Sequence, residues 1–367
     1  MTPLVSVIVN NFNYERYLAS AIDSALAQDH RETEVIVVDD GSTDGSREVI
    51  GRYRGAVEAI QKQNGGQASA MNAGFEASSG EIVMFLDADD LLYPTAVSSV
   101  VSRWKDELAK VQFRLSIVDE TGSRLGASPA RAVELPSGDV VPMLAAAGGY
   151  PTPVTSGNAY NRTALQQLMA IPEDDFRISA DGYLNALVPF YGPVASLQEE
   201  LGAYRKHASN LWALKGRVEP WELRARIQHD LLKEKLLIET ARKRGVAFPA
   251  SVALRDWSHA MYRLCHLRLD PVAHPISEDT RGRLAVAGLG AIRRSPELAG
   301  AERLGYATVF LVIAAAPGPL ARRVAGWALA SKPRPAWLRV ARGMLRRVNA
   351  RRKSSPEGPS PAGEATR

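Results

Sequence analysis

From Leu4 to about Leu115, short β-branched apolar runs alternate with longer segments whose apolar positions recur at helical spacing. Leu4 to Val9, Glu34 to Val38, Val57 to Gln61 and Ile82 to Leu86 read as strands, each apolar enough to be covered on both faces. Helices are expected between and after them, over Glu15 to Gln28, Asp44 to Tyr53, Gln67 to Ala77 and Pro94 to Trp104. Such alternation predicts a parallel, doubly wound sheet, whose ligands bind outside the carboxyl ends of the strands.

The pattern then changes. Val111 to Arg124 reads as a strand running into a turn at Asp119-Glu120-Thr121-Gly122, so the sheet should be mixed. The Pro- and Gly-punctuated stretch from Pro129 to Pro153 is expected to pass over the site, and beyond Trp212 no further strand is expected. Trp221 to Arg244 reads as one helix, with Leu223, Ile227, Leu231, Leu232 and Ile238 on its apolar side. The rest is a helical appendage ending in a Ser-, Pro- and Gly-rich tail at 354–367, whose composition predicts disorder.

Composition narrows the possible chemistry. A single cysteine, Cys265, excludes an internal disulfide framework and any CxxC zinc or redox site, which favours a reducing, cytoplasmic setting. The apolar run at Leu4 has no basic lead-in and no small-residue cleavage site, so it reads as a buried strand rather than a secretory signal. The net charge of +5 is concentrated late in the chain. Within 335–353, Trp337, Ala341, Met344, Leu345 and Val348 fall at helical spacing, with Arg339, Arg342, Arg346, Arg347, Arg351, Arg352 and Lys353 around them. That helix is expected to lie on an anionic membrane surface as a peripheral anchor, or else to pack on the rest of the chain with its basic face in water. Confinement of this pattern to one helix, with no recognition motif beside it, argues against nucleic acid as a partner.

Acids mark the strand ends. The second strand runs into Asp39-Asp40-Gly41-Ser42-Thr43-Asp44 and the fourth into Asp87-Ala88-Asp89-Asp90. Residues two apart in an extended chain face the same way, so Asp87 and Asp89 should project together into the crevice. Crowded carboxylates repel one another unless a divalent cation joins them, and all-oxygen ligands favour Mg²⁺ or Mn²⁺, which implies a diphosphate substrate. Between the two motifs lies Asn64 to Gly74, a glycine turn before a helix start, where free backbone N–H groups could approach an anion or a base.

Ser6 to Tyr14, Val37 to Asp44, Asn64 to Gly74 and Phe85 to Asp90 together resemble, in order and spacing, the donor half of the family 2 glycosyltransferases, and the likeness extends over roughly Leu4 to Asn210. It implies a GT-A fold: an α/β, Rossmann-like mixed sheet with helices on both faces, followed here by the helical C-terminal appendage. The catalytic domain would then occupy 1–211, with a nucleotide-sugar-binding half at 1–110 and an acceptor half at 111–211, ahead of a helical region at 212–353. By the same resemblance Asn11 and Asp39 hold the nucleobase, Gln67 belongs to the donor site, Asp87 faces ribose or metal, and Asp89 ligates the metal. Asn10 stands where many members have proline, and Phe12 where many have tyrosine.

In the second half, Ile178 to Leu184 resembles the family's xED element, which makes Asp181 the expected general base. Alanine stands at 180 in place of the usual glutamate, and Asp174 and Asp175 are rivals for the role. Thr155 to Arg162 resembles the segment that presents the acceptor, with Gly157 and Asn158 on that side. Leu201 to His207 resembles the end of the catalytic domain, where His207 is a further candidate metal ligand and Arg205 and Lys206 are candidates to face the phosphates. The expected activity is inverting transfer of a sugar from a nucleoside-diphosphate donor, UDP-linked, to a hydroxyl of a glycan or lipid-linked acceptor in cell-surface polysaccharide synthesis. The alternatives are a nucleotidyltransferase on a similar sheet and a non-catalytic sugar-nucleotide-binding protein.

Overall fold

The computed structural model describes residues 2–207, 210, 218–298 and 300–329; the expected basic helix at 335–353 and the tail at 354–367 lie outside the described residues. The first part of the chain runs β1 (Val5–Asn11), α1 (Glu15–Leu26), β2 (Thr33–Asp39), α2 (Ser46–Gly51), β3 (Glu58–Gln61), α3 (Gln67–Ala77) and β4 (Ile82–Asp87). There follow β5 (Leu91–Leu92), α4 (Ala96–Arg103), β6 (Lys110–Val118), β7 (Arg124–Ser128), α5 (Val141–Ala147), β8 (Asn158–Asn161), α6 (Arg162–Gln166), α7 (Ala180–Leu187) and β9 (Val194–Arg205). The remaining elements are helices: α8 (Pro220–Lys243), α9 (Trp257–Leu269), α10 (Arg281–Arg294), α11 (Gly300–Ala315) and α12 (Gly318–Leu329).

All the strands join one mixed sheet in the order β3-β2-β1-β4-β8-β6-β9-β5, with β7 added on β6. β1, β2, β3 and β4 are parallel, while β8 runs antiparallel to both β4 and β6. The strand pattern explains the two-sided cover. Val7 and Val9, Val35 and Val37, and Met84 and Leu86 pack with α1, α2 and α4 on one face, whereas Ile8, Ile36, Val38, Val83 and Phe85 pack with α3 and α7 on the other. β3 departs from the expectation of cover on both faces: Glu58, Ala59 and Gln61 are exposed, because among the described residues this short strand pairs only with β2 and forms the sheet's edge. Register places Asn10 beside Asp87 and Asn11 beside Asp39, so one row of the rim carries both acid motifs.

Two sequence expectations needed tertiary context. The stretch from Pro129 to Pro153 contains α5, a short helix that begins with Pro142 in its first turn and stops at Gly148, whose φ of 75° is the left-handed conformation glycine tolerates. α8 starts one residue before the expected helix, with Pro220 in its first turn and a reciprocal cap between Glu219 and Glu222. Its C-terminal half does not stand apart from the sheet: Leu237 and Ala241, with Val252 beyond it, belong to the same buried cluster as Ile8, Phe85 and Leu184. A separate cluster, including Leu223, Leu264, Leu284, Phe310 and Ile313, holds the helical region together. No helix among the described residues is long and apolar enough to cross a membrane.

Candidate active site

The carboxyl ends of β1 and β4 open into a cleft of about 720 Å³ whose wall includes Asn11, Gln67, Asp87, Asp89, Asp181 and His207. These six come from five separate stretches of chain. Asp87 is the last residue of β4, and a turn closed by the Asp90 amide donating to the Asp87 carbonyl (2.9 Å) follows it. Asp89 therefore reaches the cleft from a turn and not through strand alternation. Burial, then the neighbouring charges of Asp89 and Asp181, push the Asp87 carboxyl up to about 7.

Asp89 is buried, and its Oδ2 lies 2.8 Å from His207 Nε2 and accepts from Asn210 Nδ2 at 3.2 Å. The His207 ring is wedged between Tyr17, stacked at 5.1 Å, and Tyr14, edge-on at 5.5 Å. Among the described residues no group of three or more His, Cys, Asp or Glu side chains is arranged to hold a metal ion by itself. The carboxylate suits Mn²⁺ or Mg²⁺ in donor type and the imidazole favours the transition metal Mn²⁺ of the two, provided the ion arrives with oxygen ligands of its own, as a diphosphate complex does.

Gln67, the first residue of α3, ties the two sides of the cleft together. Its Nε2 donates to Asp87 Oδ1 (3.2 Å) and Thr155 Oγ1 (3.3 Å), and its Oε1 accepts from the Ala180 amide (2.9 Å) at the start of α7. Asp181 sits in the first turn of that helix, after Ser179, whose φ of 66° is left-handed. Burial raises the Asp181 carboxyl above the usual carboxylate range, against a hydrogen bond from Ser179 Oγ at 3.3 Å. Its rivals Asp174 and Asp175 are exposed and do not line the cleft.

The backbone N–H groups expected to be free at the glycine turn are already taken. Those of Gly65 and Gly66 donate to Asp40 Oδ1 (3.0 Å) and Oδ2 (2.7 Å), and those of Gln67 and Ala68 donate to the carbonyls of Arg177 (2.8 Å) and Phe176 (3.3 Å). The physical reason is close approach. A Cβ at Gly66, whose φ is 89°, would lie 2.7 Å from the Arg177 carbonyl oxygen, so this glycine lets the 176–177 segment seal the helix end. Asp40, which sequence reasoning left without a role, is thereby the loop's anchor, with Lys62 Nζ 2.9 Å from its Oδ1.

Three expected site residues lie behind the cleft wall. Asp39 is 0% exposed: its Oδ1 accepts from Asn11 Nδ2 (3.0 Å), and its Oδ2 lies 3.6 Å from Arg47 Nε, so it stands one layer behind Asn11. Gly157 and Asn158 are buried beneath the floor, where Asn158 Nδ2 donates to the carbonyls of Val154 (2.8 Å) and Thr155 (3.3 Å) and has no surface to offer an acceptor. Of the two basic candidates, Lys206 lines the cleft. Arg205 is turned inward, its Nε donating to the Asp89 carbonyl (3.0 Å) and its guanidinium lying over the Tyr17 ring. Asp90, also missed, is buried and accepts from Ser156 Oγ (2.6 Å) and the Arg205 amide (2.9 Å), joining the end of β4 to β9. Its signal was present as the third acid of Asp87-Ala88-Asp89-Asp90.

The family model described as "Glycosyl transferase family 2" matches residues 6–169. An uncharacterised glycosyltransferase of Nostoc sp. is 37% identical over 211 residues, covering 56% of this chain and 66% of the relative. The chondroitin synthase of Pasteurella multocida is 42% identical over 98 residues, 26% of this chain and 10% of that protein. The chain thus spans less than two thirds of the length of either relative. Among solved structures, a mannosyltransferase of Pyrobaculum calidifontis in complex with GDP-Man and Mn²⁺ aligns over 95% of this chain and 86% of its own, with 19% identity and a TM-score of 0.48, too distant to carry a conclusion. Residues 6–169, which run from β1 through β8 and bear both acid motifs, belong to glycosyl transferase family 2.

Proposed function

We propose that this chain is an inverting, metal-dependent glycosyltransferase that moves a sugar from a nucleoside-diphosphate donor, UDP-linked, to a hydroxyl of a glycan or lipid-linked acceptor in the synthesis of a cell-surface polysaccharide. The observation that carries this reading is the convergence of Asp87, Asp89, Asp181 and His207 on a single cleft at the ends of β1 and β4. Relationship to a protein named as a chondroitin synthase supports polysaccharide synthesis as the setting.

In this reading Asn11, Gln67 and Asp87 bind the donor, with Asp39 acting through Asn11, to which it is hydrogen bonded. Asp89 and His207 are the residues that would hold Mn²⁺ or Mg²⁺. When bound, such an ion neutralises charge on the departing diphosphate. Lys206 and Arg177, both on the cleft wall, add positive charge of the kind that favours a leaving phosphate. Asp181 accepts the proton of the acceptor hydroxyl as that oxygen attacks the anomeric carbon opposite the leaving group, and its burial strengthens it as a base.

The test is a thermal-shift screen of UDP-, GDP- and dTDP-sugars with and without Mn²⁺, followed by a transfer assay with the donor that binds. A metal-dependent rise in Tm for the UDP-sugar is expected, because a ligand that binds only the folded state stabilises it by mass action. No rise for any nucleotide sugar would defeat the reading.

A further inference from the structure

Asp181 borders two cavities. Besides the strand-end cleft it lines a second cavity of about 310 Å³, large enough for a small ligand, with the 148–153 loop and α7 on one side and α8 with the turn into α9 on the other. A base shared between two cavities suits a reaction of two substrates, since a donor can occupy one side while a hydroxyl approaches from the other. The elements the sequence had suggested for the acceptor, Gly157 and Asn158, are buried under the floor and leave that role open.

The polar wall of this second cavity is fixed from behind. Lys110, fully buried, donates from Nζ to Asn185 Oδ1 (2.8 Å) and Thr152 Oγ1 (2.9 Å), and both of these residues line the cavity. The Tyr160 hydroxyl donates to the same Asn185 oxygen (3.2 Å), so the amide is held in one orientation. Opposite, on the helical side, His259 is 1% exposed; its Nδ1 lies 3.1 Å from Asp230 Oδ2, while its Nε2 is buried with no hydrogen-bond partner among the described residues. A buried ring nitrogen without a partner is costly unless a ligand supplies one.

Charge and apolar surface define the ligand class. The wall carries Asp181, Asp230, Glu234, Asp256 and Glu297 against Lys233; burial raises the carboxyls of Asp181, Asp256 and Glu297, but Asp181 is ionised when it acts as base, so a phosphate or carboxylate near the reacting hydroxyl would meet like charge beside it. Leu144 and Val252 add apolar surface of the kind that suits the C–H face of a sugar ring. We propose that this cavity is the acceptor subsite, taking the neutral, hydroxyl-rich end of a saccharide and presenting one hydroxyl to Asp181. That hydroxyl gives its proton to Asp181, its oxygen bonds to the anomeric carbon, and the nucleoside diphosphate leaves with the electron pair of the bond that breaks. The inference rests on the glycosyl-transfer reading and adds to it the place and charge class of the acceptor.

Gly149 offers the test, because it lines the cavity, its φ is not left-handed, and among the described residues a Cβ there would meet no heavy atom within 4 Å. Saturation-transfer NMR on the full chain, with UDP and Mg²⁺ present, would screen methyl glycosides of glucose, galactose, mannose, rhamnose and N-acetylglucosamine against methyl glucuronide and methyl glucoside 6-phosphate. At least one neutral glycoside should bind and should lose most of its signal, at least about fivefold, in Gly149→Phe, while UDP still raises Tm in both proteins. His259→Gln serves as a second variant should Gly149→Phe fail to fold, with a weaker loss of the same signal expected. Unchanged binding in the folded variant, binding by the acidic glycosides alone, or no glycoside binding although UDP raises Tm would each overturn the acceptor assignment. Cavity-dependent glycoside binding without any UDP effect would instead uphold the subsite and remove the UDP-donor reading.

Discussion

The two rims of the cleft are built on different principles. On the β1–β4 side, Asn11 and Asp87 close parallel strands whose alternating side chains are buried on both faces of the sheet, so their place follows from the register of the core. On the α7 side, Asp181 depends on a left-handed Ser179, a helix start tied to Gln67, and the packing of α8 behind it. The first rim is set by local pattern and the second by long-range contacts. Substitutions on the second rim should therefore disturb reaction geometry with less effect on donor binding.

Asp181→Asn gives the largest separation between the rims. Transfer should fall on the order of 10²–10⁴-fold, the range of a lost general base, while nucleotide binding measured by calorimetry stays near wild type. Loss of both together would break the distinction. Asp89→Ala is the converse: the metal-dependent rise in Tm with UDP should disappear, and transfer with it, while the unliganded protein remains folded, as a melt in metal-free buffer would check. Gln67→Leu probes the link itself. By removing the bonds to Asp87, Thr155 and the Ala180 amide, it should lower kcat by roughly 10–100-fold, the scale of a small misplacement of reacting groups, and weaken donor binding as well, so that steady-state kinetics show a fall in kcat together with a rise in donor KM.

The smallest effect concerns how α8 supports α7. His229 on α8 packs edge-on against Phe176, and burial, reinforced by nearby Lys233, pushes its imidazole down to about 4. The unfolded chain, with histidine near its ordinary value of about 6.5, then binds more protons in the interval between, so this contribution to stability is present above about pH 6.5 and is lost as pH falls through about 4. Melts between pH 7 and 4 should show a Tm decline of a few degrees that is shallower in His229→Phe. An identical slope in the variant would mean that α8 does not bury this ring.

The contrast also explains what was readable in the amino-acid order. α3 spans Gln67–Ala77 as its periodicity predicts, and the four parallel strands lie where their β-branched runs put them, because both signals are local. β9 escaped notice because its middle, Gln198-Glu199-Glu200, has no apolar alternation; Ser116 and Arg124, on β6 and β7, and Arg131 bind Glu200 instead. The taken N–H groups from Gly65 to Ala68 were illegible for a similar reason, since Asp40 satisfies those of Gly65 and Gly66, and a segment more than a hundred residues away satisfies those of Gln67 and Ala68. Asp39 shows the limit of reading strand ends as cleft surface: the motif reaches the rim, yet Asn11 lies in front of it.

Leu237, Ala241 and Val252 share a core with the sheet, which bears on how such a protein can be taken apart. A fragment ending near 211 would uncover the apolar backs of α7 and its neighbours and invite aggregation. On the proposed acceptor assignment, grafting a different acceptor preference onto this scaffold would call for exchanging α7, α8 and the following turn as one cassette, because they share that core.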